Sequence, residues 1–212
     1  MDIEKFIEYT PYLYHLTSLQ NAKRIISEGK LYSANALIDA SDDKKNKEIK
    51  RRKRFSHQAL IIKGSEVFLR DQRPISEVAL AKCLTDNWAV ADFLFFLNDR
   101  VFTWPNLNRL ERHYNRYKDE GPVIFRFSTK EMIEANPHVK FARLNTGATR
   151  ANSYLGGKAP ERGKQTFQRA EEYLFPIGSV AEVTFEKSCT IAGNFGIDNI
   201  PEGKFNKLIT DF

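Results

Sequence analysis

Tyr14-His15-Leu16-Thr17, followed by Asn21 and closed by Gly29, packs an imidazole, a hydroxyl and an amide into one strand-to-helix turn. Side chains in a strand repeat every two positions, so a strand over Tyr12–Leu16 points His15 and Thr17 the same way. The helix that follows reads from Ser18 to Glu28. Leu19, Ala22, Ile25 and Ile26 recur as one buried stripe, Ser18 is a natural N-cap, and Gly29 supplies a left-handed stop. Asn21 lies one helical turn inside. Three polar groups at the open end of a strand suit the amide or ribose of a nucleotide. They also suit local bonding, with Ser18 capping, His15 and Thr17 on backbone groups and Asn21 in water. Taken alone, the local account is the simpler one, and the rest of the chain decides.

A chain of 212 residues with ordinary globular composition has the length for one well-buried core, and a single domain over 1–212 is expected. The longest apolar run, Trp88 to Leu97, is interrupted by Asp92 and falls well short of the roughly 20 residues that span a bilayer. It reads as a buried helix, with no membrane partner. The start, Met1-Asp2-Ile3-Glu4-Lys5, lacks the basic and apolar regions of a signal peptide. Cys83 and Cys189 stand far apart, outside any CxxC or His-paired pattern, which argues against a disulfide framework and a zinc site. The expectation is a cytoplasmic protein that needs no metal.

The net charge of +6 is concentrated: between Asp42 and Arg54 stand eight Lys or Arg against three acids. Such a run is a solvated helix face, a mobile loop, or a patch for the phosphates of a nucleic acid or nucleotide. Strands are expected at Ala59–Ile62 and Glu66–Leu69 around a Lys63-Gly64-Ser65 turn. Arg70-Asp71-Gln72-Arg73-Pro74 then reads as a polar loop holding a structural Asp–Arg pair. Helices are expected from Ser76, over Ala89–Leu97 and after an Asn106 cap. Strands are expected at Val101–Trp104, Val123–Phe127 and Val139–Leu144, and Ser128 with Glu131 forms a capping box. Asn145 to Arg169, rich in Gly, Arg and Asn, is a long loop of the kind that carries function. Its spacing matches neither GxGxxG nor the P-loop. Arg169 to Pro176 reads as a strand with Tyr173 and Phe175 on one face and Glu172 and Leu174 on the other. A carboxylate there, beside the Gly-rich loop, is a catalytic candidate, although an edge-strand acid is the commoner case.

Three blocks in order, Tyr14-His15-x-Thr17-x-x-x-Asn21, Ile49-Lys50-Arg51-Arg52-Lys53-Arg54 and Arg169-Ala170-Glu171-Glu172-Tyr173-Leu174, resemble the DarT family of DNA ADP-ribosyltransferase toxins. The resemblance implies an α+β fold whose core is the split mixed β-sheet of ADP-ribosyltransferases, gripping NAD+ as co-substrate in a cleft. It implies Glu172 and Arg52 as the catalytic pair, with Glu171 and Arg51 as one-place alternatives. His15, Thr17, Asn21, Tyr14 and Arg54 would bind the dinucleotide. Arg150, Arg162 and Tyr154 in the long loop are the candidates for substrate binding, and Tyr154 and Phe167 would be exposed for stacking on splayed bases. Single-stranded DNA or RNA is the implied partner, with an antitoxin as a further one, and the implied role is that of a toxin or phage-defence effector. Two segments depart from the family, Arg70–Pro74 and Asn145–Arg169, and substrate choice would lie there.

The chemistry asks for these residue types in its own right. Breaking the nicotinamide–ribose bond develops positive charge on the ribose, which a nearby carboxylate stabilises more in the transition state than in the ground state. The same carboxylate can take the proton of an attacking base nitrogen. A pyrophosphate calls for the planar fork of arginine. Other readings of the same fold are a non-catalytic nucleic-acid-binding module, an NAD+ hydrolase and a protein ADP-ribosyltransferase.

Overall fold

Ser18 Oγ accepts the Asn21 N–H at 3.3 Å and Gly29 turns left-handed at φ 61°, so the helix after the first strand starts and stops at residues that favour those jobs. The structure, a computed structural model, describes residues 1–151 and 155–211, and of residues 44–46 the backbone alone. In chain order it contains α1 (Ile3–Tyr9), β1 (Tyr12–Thr17), α2 (Leu19–Glu28), β2 (Lys30–Tyr32) and α3 (Ala34–Ala40). A 3-10 segment over Lys44–Arg51 leads to β3 (Gln58–Ile62), β4 (Ser65–Leu69), α4 (Glu77–Ala81), α5 (Val90–Asn98) and β5 (Arg100–Thr103). There follow α6 (Leu107–Tyr117), β6 (Val123–Ser128), α7 (Thr129–Ala135), β7 (Val139–Ala142), β8 (Glu182–Glu186), β9 (Ser188–Thr190) and β10 (Phe195–Asp198). The class is α+β.

Two three-stranded sheets carry the core, in the orders β1-β6-β10 and β5-β8-β7. Tyr14 and Trp104 join them at one corner by exchanging backbone hydrogen bonds of 2.9 and 2.8 Å. Phe6, Leu13, Phe125, Phe127, Phe141, Val183 and Phe185 fill the space around both sheets, and burial of this apolar surface is the main stabilising contribution. A second cluster joins α4 and α5 through Leu80, Phe93 and Leu94. The β3–β4 hairpin turns through Lys63 and Gly64, both left-handed at φ 51° and 74°, as a tight two-residue hairpin requires.

Three expectations need correction. Every described strand ladder is antiparallel, and the parallel pairing among the described residues is the single bridge Leu84–Arg162, so the sheets are not mixed. Arg169–Pro176 is not a strand. It coils through two tight turns, closed by Glu172 N–H to Arg169 O and Tyr173 N–H to Ala170 O, both 3.2 Å, with Tyr173 buried in the core, Ala170 and Phe175 packed against it, and Leu174 88% exposed. Phe167 is not exposed for stacking. It is 2% accessible and packs against Phe96 and Phe102. In the basic segment Lys50 pairs with Asp39, Arg51 with Asp92 at 2.7 Å and Arg52 with Glu48 at 2.7 Å, the last two pairs on largely exposed side chains. Among the described residues, no helix is long and apolar enough to cross a membrane.

Candidate functional site

A cavity of about 480 Å³ opens beside β1 and β5, within the size range of small-ligand sites. Its lining comes from β1, α2, β2, α3, Arg54, β4 and the loop after it, the end of α5, β5, Trp104, α6, the 145–148 turn and the first residue of β8. Seven cationic side chains line it, Arg24, Lys30, Arg54, Arg70, Arg100, Arg112 and Arg116, against two carboxylates, Asp71 and Glu182. The field inside therefore favours an anion.

His15 and Thr17 line the cavity together, as the two-residue strand period requires. The Nδ1 of His15 lies 2.9 Å from Phe102 O. Burial lowers its pKa to about 4, so the ring is neutral at neutral pH. A carbonyl only accepts, so Nδ1 carries the proton and Nε2 keeps its lone pair as an acceptor. Asn21 also lines the cavity, but its amide is engaged: Nδ2 donates to Phe68 O at 2.8 Å and Oδ1 accepts Phe68 N–H at 3.0 Å. Tyr14 faces the other way. Its ring packs against Phe205 and it does not line the cavity.

The basic segment reaches the cavity through Arg54 and not through Arg52. Arg52 is exposed with Glu48, whereas Arg54 is buried, its Nε donating to Arg70 O at 2.9 Å and its Nη1 to Asn98 Oδ1 at 3.0 Å. Burial lowers its pKa to about 10, which leaves it charged. Asn98 is a junction, since its Oδ1 also accepts from Gln72 at 2.9 Å and its Nδ2 donates to Lys50 O at 2.9 Å.

Glu172 likewise lies outside the cavity. It is exposed and accepts the Arg169 N–H at 3.0 Å within its own turn, and Glu171 is exposed beside Arg169. The carboxylate that enters is Glu182, at the start of the central strand β8 and 3% accessible. Burial raises its pKa to about 7, and the Thr146 N–H, donating to Oε2 at 3.1 Å, opposes the rise. A group so poised divides between its two forms near neutrality, which suits proton transfer. The sequence does carry a signal for it: Glu182 is the one charge inside Val180-Ala181-Glu182-Val183-Thr184-Phe185, and an acid is seldom buried without a task or a partner.

One wall is aromatic and made of donors. The Arg70 guanidinium lies 4.2 Å from the Tyr117 ring centre and pairs with Glu120 at 2.9 Å. His113 sits between Trp104 and Tyr117, at 4.7 and 4.9 Å, and burial lowers its pKa to about 3. Arg70 Nε and Nη2 and Trp104 Nε1 are buried with no hydrogen-bond partner. Buried donors without acceptors are costly, and a ligand rich in acceptor oxygens would satisfy them. The loop read as a polar connection does hold its Asp71–Arg73 pair, at 3.1 Å, and it also lines the cavity. Desolvation pushes the Asp71 carboxyl up, but hydrogen bonds and charge from Arg73 outweigh it and hold it below its usual range.

Of the remaining candidates, Arg150 is exposed and away from the cavity. Arg162 is buried behind it, where Nη2 donates to Asn145 O at 2.9 Å and Ala148 O at 2.7 Å. Tyr154 lies outside the described residues. Among the described residues no three His, Cys, Asp or Glu side chains gather as a metal cage. No curated protein and no solved structure matches the chain. Residues 11–193 match the model of a family of unknown function, DUF7002, and the chain belongs to that family.

Proposed function

We propose that this chain transfers ADP-ribose from NAD+ to a nucleobase of single-stranded DNA or RNA, inside the cell, as a toxin or phage-defence effector. The observation that carries the reading is the meeting of His15, Thr17, Arg54 and Glu182, from three distant stretches of sequence, around one cation-rich cavity. Two separate three-stranded sheets, joined by the Tyr14–Trp104 bridge, also support an ADP-ribosyltransferase-like split core.

In this account Glu182 takes the role first given to Glu172, and Arg54 that given to Arg52. The nicotinamide–ribose C–N bond breaks, its electron pair leaving with nicotinamide, and positive charge grows on the ribose. Glu182, ionised, stabilises that charge. A base nitrogen attacks the same carbon, and Glu182 accepts the proton it sheds. The Nε2 of His15 accepts a ribose hydroxyl or amide N–H. Arg70 and Trp104, whose donors lack partners, suit the pyrophosphate oxygens. The Trp104–His113–Tyr117 wall, its rings tilted by 32° and 65° to one another, offers aromatic edges and faces against which a ring can pack. The exposed arginines of α6 at the cavity mouth, Arg112 and Arg116, face the polymer.

The test incubates the protein with NAD+ and single-stranded DNA or RNA and follows nicotinamide release and polymer mass. An adduct on either polymer, lost in Glu182→Gln, supports the reading. Nicotinamide release without any adduct would replace it with NAD+ hydrolysis, and no consumption of NAD+ would sink it.

A further inference from the structure

We infer that Arg162, which does not line the cavity, is a positioning residue that holds Glu182 in its ionised form by stapling the Asn145–Ala148 turn against it. The inference rests on the reading of Glu182 as the reactive carboxylate.

Arg162 is 3% accessible and held at both ends. Its backbone N–H donates to Cys83 O at 2.7 Å and its carbonyl accepts the Thr85 N–H at 2.8 Å, which fixes it to the segment after α4. From that post, one nitrogen of the guanidinium bridges two carbonyls, Asn145 O at 2.9 Å and Ala148 O at 2.7 Å. These are the first and last residues of a tight turn that is also closed by Ala148 N–H to Asn145 O at 2.9 Å and Gly147 N–H to Asn145 Oδ1 at 3.0 Å. So stapled, the turn aims the Thr146 N–H at Glu182 Oε2, 3.1 Å away. A hydrogen bond to the charged form of an acid favours that form.

Charge adds to geometry. The charged groups that act on Glu182 are two cations, Arg162 from the long loop and Arg109 from α6, and both pull its pKa down against the effect of burial. His15, His113, Asp71 and Arg100 share the cavity with it. Loss of Arg162 removes the larger of these two supports twice over, as a cation and as the staple of the turn. It also strips a charged partner from two carbonyls, and Ala148 O has no other bond among those described. A residue that served the fold alone would lower activity at every pH alike.

The experiment titrates Glu182 directly in the full-length protein by carbon NMR of labelled glutamate, its signal identified by its loss in Glu182→Gln. Wild type is compared with Arg162→Met and Arg162→Lys, and nicotinamide release from NAD+ is followed over the same pH range. In Arg162→Met the Glu182 midpoint should rise by about one unit, with about tenfold less activity on the acid side and recovery toward wild type at alkaline pH. Arg162→Lys, which keeps the cation but loses the planar guanidinium, should shift by roughly half as much, and it carries the test if the Met variant does not fold. A midpoint unmoved in the variants, or activity reduced equally at all pH, overturns the inference. The titration needs no turnover. Should wild type leave NAD+ intact, the catalytic reading fails, while a moved midpoint still establishes the link from Arg162 to Glu182.

Discussion

Asn21 and Phe68 exchange two hydrogen bonds, Nδ2–H to O at 2.8 Å and N–H to Oδ1 at 3.0 Å, so that one side chain of α2 caps the open edge of the β3–β4 hairpin as a strand would. The amide holds one wall of the cavity, which gives it a structural task. Asn21→Ala should therefore lower stability by about 2 kcal/mol, since it leaves a half-buried N–H and C=O without partners. Urea unfolding followed by circular dichroism checks this. Unchanged stability with weakened NAD+ binding would instead give Asn21 the ligand-binding role implied by the resemblance.

Half-buried His15 and His113, both desolvated at the ring, set an acid limit. Their folded pKa values, about 4 and about 3, lie below the ordinary 6.5. The stability they support is complete above pH 6.5 and is lost as pH falls through that value toward 4 and then 3. Each histidine contributes a slope of roughly 1.4 kcal/mol per pH unit across its window. His113→Phe keeps a ring between Trp104 and Tyr117 and removes one titration, so its unfolding free energy should fall less steeply than that of wild type between pH 6 and 4. Parallel slopes would contradict the burial of a neutral His113.

Glu182 has the opposite sign. Its folded pKa, raised from 4.5 to about 7, means that the unfolded chain ionises first, so folded stability falls as pH rises from 4.5 through 7 and then levels. Glu182→Gln escapes this cost. Relative to wild type it should gain on the order of 2–3 kcal/mol between pH 5 and pH 8, measured by denaturant titration at both. A difference independent of pH would mean that Glu182 keeps an ordinary pKa.

Arg70 and Arg52 separate the cavity from the surface. Arg70→Ala removes two donors that await acceptors and should weaken NAD+ binding by about 10- to 100-fold, with a smaller effect on turnover once saturated. Arg52→Ala breaks only an exposed pair with Glu48 and should leave binding and stability within about 0.5 kcal/mol of wild type. Calorimetric titration of both variants with NAD+ checks the contrast. Equal losses would restore Arg52 to the site.

Local chemistry made much of this architecture readable. Ser18, Ser33, Ser76, Asn106 and Ser128 each cap the helix they precede, because a short oxygen-bearing side chain satisfies the amides that open a helix. His15 and Thr17 reach the cavity because strand geometry puts them on one face. The errors lie where tertiary contacts decide. Alternation at Glu172-Tyr173-Leu174-Phe175 imitates a strand, yet among the described residues no strand pairs with it, and pairing is not written locally. Arg52 and Arg54 point the same way in an alternating reading, and only burial of the loop after the 3-10 segment tells them apart. Glu182 hides for a related reason. Its flanks are those of any core strand, and a charge there is informative only once the cavity beside it is known.

The most direct measurement is nicotinamide release, with adduct formation on single-stranded DNA and RNA, compared across Glu182→Gln, Glu172→Gln and wild type at one NAD+ concentration. The proposed account predicts that Glu172→Gln matches wild type within about twofold, while Glu182→Gln, folded and at least as stable, falls by about a hundredfold or more. Full activity in Glu182→Gln, or its loss in Glu172→Gln alone, would contradict the account.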